Sequence, residues 1–582
     1  MINIKDPQQR LLFDPFADIL SDTNRKALLE SWPGVFRHVI LQLMPVDIVS
    51  QHFSRRFGRP TKELYSMAGL ILIAEFNDWT WEQAITAYRF HLDIQYALNL
   101  PPYGGNEISR ATYFRYMKLF IDDDLAAEIM YDVTRQLVKD CDIKVREQRL
   151  DSTHIFSDMA SFGRTRMMGV TVKRFLVQVK RLASEAYEAL DDDLRGRYSP
   201  GENKLFGGKG KNEEHRRLQR QQVADDMYQL IRLFCDDGRL NNTKAYKMLE
   251  TIFYQQCKVE EEKVVVKKKT GGNVIQNPSE PDASYDGHKG RGYQAQLSET
   301  CAPENEVQMI VSTLPQTAVE SDTAALPEVL DDLEEQDLLP ESMLADTLYG
   351  SDENVCEAQK RGVEIVSPTK EYNEEVLPED QKPYDSLTID DFVVDEETEE
   401  VVTCPAGVEP KCSTYNPLDG KTTTIMPQDA CMSCEFSGEC PMRKSRGQYR
   451  MEHTPRQRRL AARRREENTS VFRERYQRRA GIEGTNSGLK RRVGLARLRV
   501  RGKAHVFSAI RNKVTGWNIR RAAACTKMRK IVAQKAKTAV LAVILALQDW
   551  LSVHLRPSES GLLAFDRKFQ DYTPQPALRM VA

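Results

Sequence analysis

Between Tyr476 and Lys490 the chain reads YQRRAGIEGTNSGLK. Wound as one helix at about 100° per residue, Tyr476, Arg479, Glu483 and Lys490 fall within an arc of about 60°. One carboxylate then shares a face with two cations and a phenol. Such a set suits a site in which Glu483 holds a metal ion while Arg479 and Lys490 grip phosphates. It equally describes a solvated helix face with intrahelical ion pairs, and three glycines, Gly481, Gly484 and Gly488, weaken the helix.

Two more acids stand where an extended run ends. Val145 to Leu150 leads to Asp151, and Met343-Leu344-Ala345 leads to Asp346. An acid at the carboxyl end of a strand lies where open α/β sheets bind ligands, although Asp in that place also serves as a turn residue or helix cap. A helical stretch from Thr317 to Glu335, the Asp346 strand, a short helix stopping at Gly362 and the strand Val363 to Val366 alternate, and this alternation predicts parallel strands. Before them, the turn Asp286 to Gly290 and the runs Tyr293 to Leu297 and Val307 to Leu314 predict strands next to the first. His288 reads as a turn or DNA-contact residue.

A third set of residue types is soft. Cys431-Met-Ser-Cys434 lets two thiolates reach one tetrahedral ion, and Cys404 and Cys440 complete a closed structural site for zinc. An iron–sulfur cluster fits the same spacing. The start MINIKDPQQR has no apolar core, and the run Ala539 to Leu547 is too short to cross a bilayer. The chain is therefore expected in the cytoplasm, where its eleven cysteines stay reduced and their clustering argues for metal over disulfides.

The 582 residues have room for roughly three or four domains. The formal net charge of -2 conceals a segregation: residues 301–400 carry 29 Asp and Glu against 4 Lys and Arg, while residues 441–530 carry 28 Lys and Arg against 5 Glu. The basic block is interleaved with Leu489, Val493, Leu498, Val506 and Phe507, which predicts a folded, anion-binding surface. Its affinity for DNA is expected to fall steeply with added salt. Residues 35 to 135 read as several amphipathic helices. One of them, Ser109 to Phe120, carries Arg110 and Arg115 and could enter a DNA groove. Gly207 to Lys211 reads as an exposed loop, and helices from Phe507 to Arg521 and Met528 to Leu555 close the chain.

The pattern Tyr476-x2-Arg479-x3-Glu483-x6-Lys490 resembles the Tyr-Arg-Glu-Lys signature of bacterial insertion-sequence transposases of the Asp-Asp-Glu class, and ADTLYGSDEN around Asp346 resembles their second-aspartate motif. The resemblance implies an α/β ribonuclease-H-like (retroviral-integrase-like) catalytic core with a helical N-terminal domain, a helical insertion and a Cys-rich insertion. It implies DNA-end binding by a helical domain over 1–140. The core is then assembled from 141–163, 282–370 and 451–555, with a helical insertion and linker over 164–281. A Cys-rich zinc-binding insertion spans 371–450 and a tail spans 556–582. Asp151, Asp346 and Glu483 become the catalytic triad for two Mg²⁺ or Mn²⁺ ions about 3.5 to 4 Å apart. Tyr476, Arg479, Lys490, Arg491, Arg492, Arg110 and Arg115 become the DNA-binding residues. Expected partners are double-stranded element ends and target DNA, with a homodimer on DNA, in the bacterial nucleoid. Relatives that excise through a DNA hairpin hold a flipped base on a tryptophan of the insertion. Residues 371–450 contain no Trp, leaving Tyr372, Tyr415 and Phe436 as stacking groups. A metal-dependent nuclease without strand transfer, or an inactive zinc-stabilised DNA-binding protein, are the readings that compete.

Overall fold

The computed structural model describes residues 1–8, 14–102, 104–160, 162–199, 213–369 and 387–554. The Gly207 to Lys211 run, Tyr372 and the tail from 556 lie outside the described residues. Among the described residues, no helix is long and apolar enough to cross a membrane.

From Asp22 to Asp140 every regular element among the described residues is helical. Helix α1 (Leu64–Phe76) is apolar on every side and starts where the Glu63 carboxylate accepts from the Tyr65 and Ser66 N–H groups. A helix without a polar face has to be enclosed. It is enclosed by α2 (Arg110–Asp122) and, from the other end of the chain, by α12, described below, and α3 (Leu125–Asp140) packs on both of these. Each large side chain so buried contributes roughly 1.5 to 3 kcal/mol against remaining in water.

A mixed sheet follows. Its strands are β1 (Glu147–Ile155), β2 (Ser284–Asp286), β3 (Gly290–Thr300), β4 (Ile310–Thr317), β5 (Ser342–Ala345) and β6 (Glu364–Val366). The order is β4–β3–β1–β5–β6, with β2 pairing the start of β3. The β4–β3 and β3–β1 pairs are antiparallel, whereas β5 and β6 run parallel to β1. These are the three antiparallel and two parallel strands of a ribonuclease-H-like sheet. Between β1 and β2, helices α4 (Arg164–Leu182), α5 (Glu213–Phe234) and α6 (Lys244–Gln256) close a core of their own around Phe175, Met227, Leu249 and Phe253. Helices α7 (Asp322–Glu335) and α8 (Asp352–Lys360) pack Leu326, Val329, Leu330 and Val355 on the face of the sheet that carries Leu150 and Met343.

Beyond β6 lies a small sheet ordered β7–β8–β10–β9, made of β7 (Cys412–Asn416), β8 (Lys421–Met426), β9 (Arg443–Ser445) and β10 (Gln448–His453). Its apolar core is small, built on Ile389, Phe392, Val401 and three methionines. Helix α9 (Pro455–Glu467) then opens with a reciprocal Thr454–Gln457 capping box. The chain continues through α10 (Ser470–Gln477), a 3₁₀ turn at Arg478–Ala480, α11 (Gly481–Arg492), α12 (Lys503–Ala522) and α13 (Thr526–His554).

Helix α12 joins the parts. Val506, Ile510, Val514 and Trp517 pack on Ile155, Ala295 and Leu297 of the sheet, while Ile519 and Ala522 enter the core of the N-terminal helices. The Lys513 ammonium, almost wholly buried, is satisfied by the Glu75 and Val493 carbonyls at 2.9 and 2.7 Å and by Asp78 at 3.0 Å. The helical module therefore shares a core with the end of the chain rather than closing on itself.

Candidate active site

Strand register brings the two aspartates together. Leu150 of β1 pairs in parallel with Ala345 of β5, so the next residues, Asp151 and Asp346, stand side by side where β5 stops. The run Val145 to Leu150 had placed Asp151 after a strand. It lies inside one, because β1 goes on pairing with β3 through Ile155 after β5 has ended. The loop behind Asp346 is held from below. Asn354 Nδ2 donates to the Tyr349 carbonyl at 3.0 Å, and Thr323 Oγ1 donates to the Leu348 carbonyl at 2.8 Å.

Alternate residues of a strand face one side, and on β1 that stripe is Glu147, Arg149 and Asp151. All three engage the segment carrying Glu483. Glu147 accepts from Arg478 Nη1 at 2.7 Å, Arg149 Nη1 donates to the Arg478 carbonyl at 2.9 Å, and Asp151 meets Arg479 and Asn486. The expected continuous helix from Tyr476 to Lys490 is thus two helices joined by a 3₁₀ turn, with the turn lying where Arg149 takes the Arg478 carbonyl. Arg149 is itself anchored by Glu299, whose fully buried carboxylate receives its Nε and Nη2 at 2.8 and 2.6 Å, Arg521 Nη1 at 2.7 Å and Thr485 Oγ1 at 2.8 Å. This network fastens α11 to the sheet.

Gly481 shows how close the approach is. A Cβ there would stand 1.9 Å from Arg149 Nη1, a group held at the turn and at Glu299. Gly481→Ala is expected to displace that guanidinium and to cost about 1 to 3 kcal/mol, the usual penalty of overpacking, measured as a lower urea midpoint. Gly484, with open space around it, is the control, and its alanine variant should be no less stable than the parent.

The three carboxylates converge on one cation. The Arg479 guanidinium is 3.3 Å from Asp151, 3.4 Å from Glu483 and 3.9 Å from Asp346. Asp151 is largely buried, Asp346 half exposed and Glu483 open to solvent. Burial raises the Asp151 carboxyl above its ordinary range; Arg479 opposes this, and the nearby Asp346 and Asp322 add to it. Tyr476 stacks on Phe472 with ring centres 5.7 Å apart, and burial pushes its phenol up.

The other expected DNA contacts divide into two places. Lys490 lies close enough to His154 to lower its pKa together with burial, and Arg491 and Arg492 are exposed at the end of α11. Arg110 and Arg115 belong to a different surface, α2, where the Arg110 guanidinium lies 4.9 Å from the Trp81 ring centre and 5.5 Å from that of Phe114. Much of the basic block is internally neutralised. Arg459 pairs with Asp352 at 2.7 Å, Arg465 with Asp390 and Asp391 at 2.8 and 2.6 Å, and Arg475 with Glu364 at 2.6 Å.

Among the described residues, no group of three or more His, Cys, Asp or Glu side chains is drawn up as a metal centre. The donor chemistry nevertheless fits the expected ions. Three hard oxygen donors surround a guanidinium that stands in for a cation. Cys404, Cys434 and Cys440 all lie near enough to Cys431 to raise its thiol further after burial has done so, which fits a soft ion. Cys412 is apart from them, exposed and paired with Thr414 Oγ1.

Asn486, which touches Asp151, and Arg149, Glu299 and Arg521, which fasten the helix carrying Glu483, were not singled out from the sequence. Asn486 had a signal: at about 280° on the same helical wheel it borders the arc of Arg479 and Glu483. Being neutral, it did not stand out.

Residues 403–523 match the family model described as "Transposase DDE domain". The match supports kinship with DDE transposases; it spans Tyr476, Arg479, Glu483 and Lys490 and stops short of Asp151 and Asp346, which lie upstream. Among solved structures, the cryo-EM structure of piggyBac transposase synaptic complex with hairpin DNA is similar at 9% identity over 68% of this chain and 76% of that one, with a TM-score of 0.19. A superposition that poor supports no conclusion about fold or function. No curated protein matches the chain.

Proposed function

We propose that this protein is a DNA transposase that binds the terminal inverted repeats of an insertion sequence, cleaves the element ends and joins their 3′-hydroxyls to target DNA. The observation that carries the reading is the gathering of Asp151, Asp346 and Glu483, hundreds of positions apart, around one guanidinium. Three carboxylates this close repel one another, and their convergence is understandable as a cation site facing a polyanion.

In the first step a water oxygen bonds to phosphorus at the element end while the bond to the 3′-oxygen breaks, and that oxygen leaves as a hydroxyl. In the second, the freed 3′-hydroxyl attacks a target phosphodiester, losing its proton as a new phosphorus–oxygen bond forms and the target's own 3′-oxygen departs. Two divalent ions, Mg²⁺ or Mn²⁺, would supply activation of the attacking oxygen and stabilisation of the leaving one, held by Asp151, Asp346 and Glu483. Arg479 and Lys490 would grip phosphates, Tyr476 would restrain the distorted strand, and Arg491 and Arg492 would extend the backbone contact. Arg110 and Arg115 on α2 would contact the element end. Pairing two ends requires two protomers, so a homodimer on DNA is part of the reading.

Labelled end DNA incubated with the protein, a target plasmid and Mg²⁺ tests it. Joined product is expected; nicking alone would identify a nuclease, and binding alone an inactive DNA-binding protein. The Cys404, Cys431, Cys434 and Cys440 set would hold structural zinc. Elemental analysis of purified protein is expected to give one zinc per chain, lost together with the fold of the small sheet in Cys431→Ser/Cys434→Ser. Iron with sulfide in the same measurement would identify a cluster instead.

A further inference from the structure

Asn486 is buried on α11, three residues after Glu483, with 9% of its surface exposed. Its Nδ2 donates to Asp151 Oδ2 at 3.0 Å, while Arg479 Nη2 approaches Asp151 Oδ1 at 3.3 Å. Each oxygen of the buried carboxylate therefore has its own donor. The other end of the amide is unsatisfied: Asn486 Oδ1 is buried with no hydrogen-bond partner among the described residues. Buried polar atoms are nearly always paired, and an orphan calls for an explanation. A leucine would fill this volume without leaving one. What the asparagine adds is the single N–H···O bond to Asp151.

We propose that Asn486 is a positioning residue that fixes the plane of the Asp151 carboxylate, committing Oδ2 to the protein and leaving Oδ1 to face a divalent ion. The inference rests on the reading of Asp151, Asp346 and Glu483 as an ion site. Arg479 occupies the Oδ1 side and, among the described residues, its side chain's polar partners are the Asp151, Asp346 and Glu483 carboxylates, so an arriving ion can replace it. Asn486 cannot be replaced in this way, because its donor lies on the buried side of Asp151. Outer-shell partners of this kind orient ligating groups, and their loss weakens metal binding about 10- to 100-fold.

Mn²⁺ titrated into the full-length protein without DNA, followed by electron paramagnetic resonance, tests the idea independently of turnover. Asn486→Leu is expected to bind Mn²⁺ about 10- to 100-fold more weakly than the parent, with no fall in thermal midpoint. In the Asp151→Asn background the same substitution should change Mn²⁺ affinity no further, since its effect passes through that carboxylate. Unchanged affinity in Asn486→Leu, or a lowered midpoint with unchanged affinity, overturns the proposal. Asn486→Ser, which is too short to reach Asp151, is read by the same criteria should the leucine variant not fold. A parent protein that takes up no Mn²⁺ would remove the ion site itself, and this inference with it; a parent that binds Mn²⁺ as tightly as its Asn486 variants would remove the inference alone.

Discussion

Asp346→Asn is expected to abolish cleavage of end DNA while leaving end binding intact. The substitution keeps size and hydrogen-bonding reach but removes the charge from a side chain that is half exposed just past β5, with Arg479 at 3.9 Å and the Thr347 N–H at 2.7 Å, a bond the amide oxygen can still accept. The fold should therefore not notice. Removing one charge-stabilising group from a reacting centre costs on the order of a hundred- to a thousandfold, and losing an ion ligand should reach at least the upper end. Gel-based cleavage and mobility-shift assays on the same preparation separate the two properties. Cleavage at the parent rate would take Asp346 out of the site.

Glu299 is expected to show the opposite pattern, with stability failing first. Its carboxylate has no exposed surface and neutralises both Arg149 and Arg521. Glu299→Gln preserves the shape and leaves the buried Arg149 and the partly buried Arg521 without their shared counter-charge. Breaking a buried ion pair by removing one partner costs about 3 to 5 kcal/mol, a large part of the stability of an ordinary domain. The contrast is Glu364→Gln, which breaks the more exposed pair with Arg475 and should cost less than about 1 kcal/mol. Urea unfolding of the two variants side by side measures the difference. Equal midpoints would mean that the buried network does not fasten α11 to the sheet.

The strands and their acids were legible because an apolar run followed by Asp is local information. Asp346 is at a strand end as expected. Asp151 is not, since where a strand ends depends on which neighbour is still pairing with it, and β3 outlasts β5 along β1. The helix across Tyr476 to Lys490 was visible as a periodic face, and Arg479, Glu483 and Asn486 do share one. Its interruption at Arg478 was not, because the group lying against the turn is Arg149, more than three hundred residues earlier. Amphipathic patterning likewise revealed that the helices of residues 35 to 135 bury a face. That the face is partly covered by α12 and α13 is a tertiary fact, carried by contacts such as Phe76 against Gly516, where an added Cβ would stand 2.0 Å from the Phe76 Cβ.

The ion pairs between the acidic and basic stretches also bear on how the protein would hold DNA. A cation already matched with Asp352, Asp390 or Glu364 has its charge compensated within the protein, so it neutralises little of a phosphate and adds little to the release of counterions condensed on DNA. Only cations such as Lys490, Arg492 and Arg501, which lie beside other basic groups and have no acid at pairing distance among the described residues, contribute in full. With each neutralised phosphate worth about -0.9 in the slope of log K against log salt, the measured slope should count these unmatched side chains. It should fall well short of what 28 basic residues in a row of ninety would suggest.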